Sequence, residues 1–99
     1  MTIRHLVLLR FNAQATAAQM QDIALAFDSL RSKINAVQSL EWGTNNSPEA
    51  LAKGFTYCFN LTFADEAARA AYLPHPEHLA FAEQLKPLLE DVLVFDYAV

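Results

Sequence analysis

The chain switches between two hydrophobic periods, and the switches mark its elements. From residue 2, Ile3, His5, Val7, Leu9 and Phe11 fall on one side of an extended segment, and Thr2, Arg4, Leu6, Leu8 and Arg10 on the other, which predicts a strand. After the polar stretch NAQAT, Thr16 is placed to cap a helix. Met20, Ile23, Phe27, Leu30 and Ile34 then recur at steps of three and four, the stripe of an amphipathic helix. Val37 to Thr44 reads as a second strand, closed by Gly43 and the loop TNNSPE. Phe55, Tyr57, Phe59, Leu61 and Phe63 alternate with Thr56, Cys58, Asn60 and Thr62, a third strand with one heavily aromatic face. The stretch ADEAARAAYL predicts a short helix with acids in its first turn, where the helix dipole favours them. It stops near Leu73, because Pro74 disfavours helical geometry in the residue before it. Pro76 suits the first turn of a new helix, whose inner stripe is His78, Phe81, Ala82 and Leu85. Pro87 ends or kinks that helix, and Val92 to Tyr97 forms a last strand.

The order β-α-β-β-α-β, with the second helical part broken in two, is the ferredoxin-like split βαβ pattern of an α+β fold: an antiparallel four-stranded sheet with helices on one face. The opposite face carries Leu6 and Leu8 between two arginines, with Leu40 and Trp42 or their neighbours adding to it, and the last strand is apolar on both sides. So much uncovered apolar surface calls for a cover. The same face of a second subunit supplies one, and the expectation is a homodimer through the sheet face, a dimeric α/β barrel with helices outside.

Composition sharpens this picture. The 99 residues fit one domain, 1–99, and 54% of them are hydrophobic. A body of this size hides only about 65% of its unfolded surface alone, so the apolar excess again points to a partner chain. Eleven acidic and seven basic residues leave a net charge of -4. There is no basic patch for nucleic acid. No run approaches the roughly 18 apolar residues of a membrane span, and the N-terminal MTIRHLVLLRF is no secretory signal. Cys58 is the only cysteine, which suits a reducing compartment, and the expected location is cytoplasmic. With only Gly43 and Gly54, there is no glycine-rich phosphate cradle.

Candidate chemistry concentrates in YLPHPEH, Tyr72 to His78, which holds two of the three histidines. His5, on the more apolar side of the first strand, points into the domain and needs hydrogen-bond partners there. His78 lies on the inner stripe near a helix N-terminus, a position that favours the neutral ring and so a general base. Each also has a plain structural reading, as a satisfied core group. His75 belongs to the connection and reads as a helix cap. Tyr72 ends the short helix, either as an aromatic lid with a wet hydroxyl or as a proton donor beside His78. A metal is not expected, because a pair of histidines three apart supplies two ligands at most and no acidic or cysteine motif completes a set.

The segments IRHLVLLRF, WGTNNSPEALAKGFTYCFNLTF, AYLPHPEHLAF and LVFDY together resemble the stress-responsive A/B barrel family, also called Dabb, across nearly the whole chain. The resemblance implies a ferredoxin-like subunit that dimerises through its sheet. The family includes stress-induced proteins without a known reaction and a plant polyketide cyclase. In that enzyme the Tyr and the final His of Y-x-x-H-P-x-H do the chemistry, in a pocket between sheet and helices. Those positions are Tyr72 and His78 here, and His5 matches the strand histidine beside the pocket. The implied substrate contacts are His5, Val7, Leu9, Phe27, Tyr57, Phe59 and Phe81. One departure is clear: the family often reads G-[FY]-T-H in the third strand, and this chain reads Gly54-Phe55-Thr56-Tyr57. Phe27 and Phe59 narrow the cavity further. The expectation is a cofactor-free enzyme acting on a small apolar or oxo ligand; the alternative is a non-catalytic stress or ligand-binding protein.

Overall fold

The computed structural model describes residues Met1–Val99. Its elements are β1 (Ile3–Phe11), α1 (Ala17–Lys33), β2 (Ser39–Thr44), β3 (Tyr57–Phe63), α2 (Glu66–Tyr72), α3 (Pro76–Leu85) and, after a 3-10 turn at Lys86–Leu88, β4 (Leu89–Ala98). The strands form one antiparallel sheet in the order β2-β3-β1-β4, the ferredoxin-like arrangement. β2 starts two residues later than the hydrophobic pattern suggests. The Val37 N–H is spent on the Ile34 carbonyl in a turn, before the ladder begins. β4 is longer than expected, because it pairs with the whole of β1 as far as Phe11, across a register shift at Arg10 and Phe11.

Local capping fixes the helices. The Thr16 hydroxyl accepts from the Gln19 N–H at 3.1 Å, and the Gln19 side chain accepts from the Thr16 N–H at 2.9 Å. This reciprocal box is worth about 1 kcal/mol. Asp65 opens α2 by accepting from the Ala68 N–H at 2.8 Å. His75 opens α3: its Nδ1 accepts from the Glu77 N–H at 3.1 Å, with Pro76 at the first helical position. No helix is long and apolar enough to cross a membrane.

The core lies between the helices and one sheet face. Ile3, Val7 and Leu9 of β1 and Phe59, Leu61 and Phe63 of β3 meet Ile23, Phe27 and Leu30 of α1 and Phe81 and Leu85 of α3. Phe27 stacks on Phe59 at 4.2 Å between centroids and meets Phe81 at 4.7 Å. The register decides between the two alternatives left open for β2. Leu40 and Trp42 face the helices, opposite Leu61 and Phe59, and the open side of β2 is carried by their neighbours Ser39, Glu41 and Gly43. Alternation alone divides a strand into two faces; only the register against β3 says which one is buried.

The helices reach across β2, β3 and β1 but leave β4 bare. Leu93, Phe95 and Tyr97 are exposed on the open side, and Val92 and Val94, on the helix side, are 43% and 54% exposed. A recess of about 610 Å³ opens on the uncovered sheet face, with Leu6, Leu8, Glu41, Leu51, Phe55 and Cys58 among its walls. Gly54, in the loop beside this recess, has φ +85, and a Cβ there would sit 3.1 Å from Nε of Arg10. The left-handed backbone favours glycine, and a Cβ would also have to push the Arg10 side chain aside by a few tenths of an ångström.

Candidate functional site

His5 sits near the middle of β1 with its ring buried between Phe63 at 5.8 Å and Tyr72 at 6.1 Å. The residue directly across the β1–β4 ladder is Asp96, and its Oδ1 lies 2.7 Å from His5 Nδ1. The second oxygen, Oδ2, accepts from Nη1 of Arg69 on α2 at 3.0 Å. A carboxylate only accepts, so His5 Nδ1 carries the hydrogen, and in the neutral ring Nε2 holds the lone pair.

Tyr72 is the last residue of α2 and is fully buried, yet its hydroxyl has no hydrogen-bond partner. The wet hydroxyl anticipated from the sequence is therefore dry. Desolvation pushes the phenol well above the usual tyrosine range, so it stays an O–H donor. Its ring lies 4.4 Å from that of His78. His78 is half-buried near the start of α3, and its Nδ1 lies 2.8 Å from the Leu73 carbonyl. A carbonyl accepts, so Nδ1 donates and Nε2 of the neutral ring is left free. The break at Pro74 makes this possible by bringing the end of α2 beside the first turn of α3.

The structure thus gathers His5, Tyr72 and His78 into one group. Of the other residues expected to contact substrate, Val7 is buried two positions along β1 from His5 and opposite Val94. Leu9, Phe27, Phe59 and Phe81 are packed into the core, where the phenylalanine stack occupies the space between sheet and helices. Tyr57 lies at the far end of β3, against Phe11 at 5.5 Å and Trp42 at 6.0 Å. Six residue steps along the strand, about 20 Å, lie between it and Phe63. His75 serves as the helix cap. Cys58 is on the open sheet face, opposite Leu8, and burial pushes its thiol up, away from reactivity. No three His, Cys, Asp or Glu side chains converge closely enough to hold a metal ion.

Asp96 and Arg69 escape a reading of the sequence alone. A faint signal exists for each: Asp96 is the single acid within the apolar VLVFDY, on the same side as Val92 and Val94, and Arg69 precedes Tyr72 by three residues on a helix, hence on the same face.

Residues 3–99 match the family described as the stress responsive A/B barrel domain. The chain belongs to that family. It is 28% identical over 97 residues to olivetolic acid cyclase of Cannabis sativa, covering 98% of this chain and 96% of the cyclase. Its fold superposes on a hydroxynitrile lyase from Passiflora edulis with a TM-score of 0.92 at 28% identity, covering 99% of this chain and 93% of the lyase. A dimeric ferredoxin-like protein of unknown function from Jannaschia matches with a TM-score of 0.86 at 25% identity over all of both chains. The family resemblance read from the four sequence segments therefore holds, as does the ferredoxin-like fold, and dimeric proteins are among its structural neighbours.

Proposed function

We propose that this stress-responsive A/B barrel protein is a homodimer, packed through its open sheet face, and a cofactor-free enzyme that handles a proton next to a carbonyl group in a small oxo or polyketide-like compound. The observation that carries this reading is the Tyr72 hydroxyl, buried without a partner beside a histidine whose Nε2 is free. Folds do not retain unpartnered buried donors without reason. In the reaction, Nε2 of His78 removes a proton from the carbon next to the carbonyl. The electron pair moves onto the carbonyl oxygen, and the Tyr72 O–H donates to the resulting enolate oxygen. The enolate carbon then bonds to a second carbonyl carbon: in aldol closure the new alkoxide takes back the proton held on His78, and in Claisen closure the alkoxide collapses and that proton leaves with the expelled alcohol or thiol; in isomerisation His78 returns the proton to a different carbon. His5, held by Asp96, orients the group from below. The hydroxyl is sealed in this conformation, so substrate reaches it as the α2–α3 break at Pro74 moves.

Relatives that are a cyclase and a lyase support an enzymatic reading. The packed stack of Phe27, Phe59 and Phe81 favours a second one, a non-catalytic stress or ligand-binding protein. A free cysteine fits a cytoplasmic protein. The deciding experiment needs no knowledge of the natural substrate. Small diketones and oxo acids are incubated with the protein in heavy water, and exchange at the carbon next to the carbonyl is followed by NMR. The enzymatic reading expects exchange above the protein-free rate, reduced on the order of a hundredfold or more in His78→Ala. No exchange with any compound, or full exchange in His78→Ala, would leave the binding-protein reading in possession.

A further inference from the structure

We propose that Arg69 is the anion-recognising residue of the Tyr72–His78 site, and that the substrate class is an oxo compound carrying a carboxylate. The inference rests on the location of the site proposed above, not on its catalytic step. Arg69 and Tyr72 are three residues apart on α2 and share a helix face. From that face the guanidinium reaches β4 and touches Oδ2 of Asp96 at 3.0 Å.

Were pairing with Asp96 its whole role, the fork-on-fork contact with both carboxylate oxygens would be expected. That contact is not made: the oxygen Arg69 leaves is the one His5 Nδ1 holds at 2.7 Å. The arginine is therefore held by one N–H at one edge, and no protein acceptor takes the remaining donors of its five. Its side chain is 28% exposed, so those donors are partly stripped of water but still reachable. Asp96 accepts a hydrogen bond on each oxygen and has its charge answered by Arg69, so it opposes an incoming anion less than a free carboxylate does.

The surroundings suit an amphiphilic guest. Beyond Asp96 on the helix side of β4 lie Val94 and Val92, uncovered by any helix. An apolar body has a strip of strand to lie against, and its anionic end has the free edge of Arg69. A carboxylate fits that planar edge with two parallel hydrogen bonds, which a ketone or ester does not make. The proton-handling pair Tyr72 and His78 is next along the same helix face and across the Pro74 break.

The test compares 4-oxopentanoate with its methyl ester, the same ketone with and without the charge. Each is titrated into the intact labelled protein, and amide shifts around Arg69, Tyr72 and Asp96 are followed. Wild type is expected to bind the acid at least about tenfold more tightly than the ester. Arg69→Met is expected to bring that ratio close to one. Arg69→Lys keeps the pairing charge for Asp96 and guards against an unfolded variant; its ratio is expected to fall several-fold, because a point charge lacks the fork. His78→Ala is expected to keep the wild-type ratio while losing exchange. No preference in wild type, or an unchanged preference in Arg69→Met or Arg69→Lys, overturns the anion site. Preserved preference with no exchange in wild type upholds the anion site and removes only the catalytic reading.

Discussion

The Tyr72 hydroxyl is a liability to the fold as it stands. Burying a hydroxyl without a partner costs about 1–3 kcal/mol, and nothing in the structure offsets it. Tyr72→Phe is therefore expected to raise the unfolding free energy by about 1 kcal/mol while abolishing carbon-proton exchange. A urea titration and the exchange assay on the same sample check both halves, and a variant that loses stability shows that the hydroxyl has a partner after all. The same residue sets an alkaline limit. Because burial raises its pKa in the fold, the folded chain keeps a proton that the unfolded chain releases above about pH 10. Its contribution is intact below that pH and is lost as the pH climbs past it. Between pH 9 and 11 the urea midpoint should fall more steeply for wild type than for Tyr72→Phe; parallel slopes would remove Tyr72 as the cause. His5 and His78 illustrate a different residue-scale logic, in which each ring is held through Nδ1 by a fixed acceptor and Nε2 is the end left free.

At the level of elements, the α2–α3 break sets a capping histidine three residues from the proposed base. His75 caps α3 through Nδ1. Replacing it by alanine is expected to cost about 1 kcal/mol, His75→Ser is expected to restore most of that, and neither is expected to slow exchange. Loss of exchange in the serine variant, with stability restored, would give His75 a part in the chemistry. Much of this architecture is legible in the sequence. The alternation in β1 and β3, the stripe of α1 and the prolines bounding α3 are local signals, and the helices and strands follow them. The inward turn of His5 and the nearness of Tyr72 to His78 are legible for the same reason. The His5–Asp96 bond is not, because it joins residues 91 apart in sequence and exists only once β4 is in register with β1. Arg69 is hidden for the same cause, its partner being that aspartate. The side of β2 that Trp42 takes is left open by the sequence, since alternation carries no information about which face receives the helices.

At the scale of the whole molecule, the sheet has a covered face and an uncovered one, and the uncovered one is itself divided. Glu41, Ser39, Asn60 and Thr62 make its β2–β3 half polar, whereas Leu6 and Leu8 of β1 with Leu93, Phe95 and Tyr97 of β4 make the other half apolar. Two-fold packing buries apolar against apolar only if the axis runs near the β1–β4 half. Phe95 is the sharpest probe, because it is 61% exposed and its nearest aromatic neighbour, Tyr97, is another open-face residue. A charge placed there disturbs no core contact within the subunit. The double variant Leu93→Glu, Phe95→Glu is therefore expected to remain folded by circular dichroism but to sediment as a monomer at concentrations where wild type is expected to sediment as a dimer, since burying four glutamates across a symmetric interface is strongly unfavourable. Its thermal midpoint should also stop depending on protein concentration, because the linkage between folding and association is gone. A double variant that still sediments as a dimer moves the interface off this half of the sheet, and a wild-type monomer at tens of micromolar removes the barrel altogether. The exchange assay on the monomeric variant then answers a question that the single subunit leaves between the two faces. His5, Tyr72 and His78 all belong to the helix side, so exchange should survive dissociation with at most a modest loss, and a complete loss would mean that the partner strand shapes the exposed strip at Val92 and Val94.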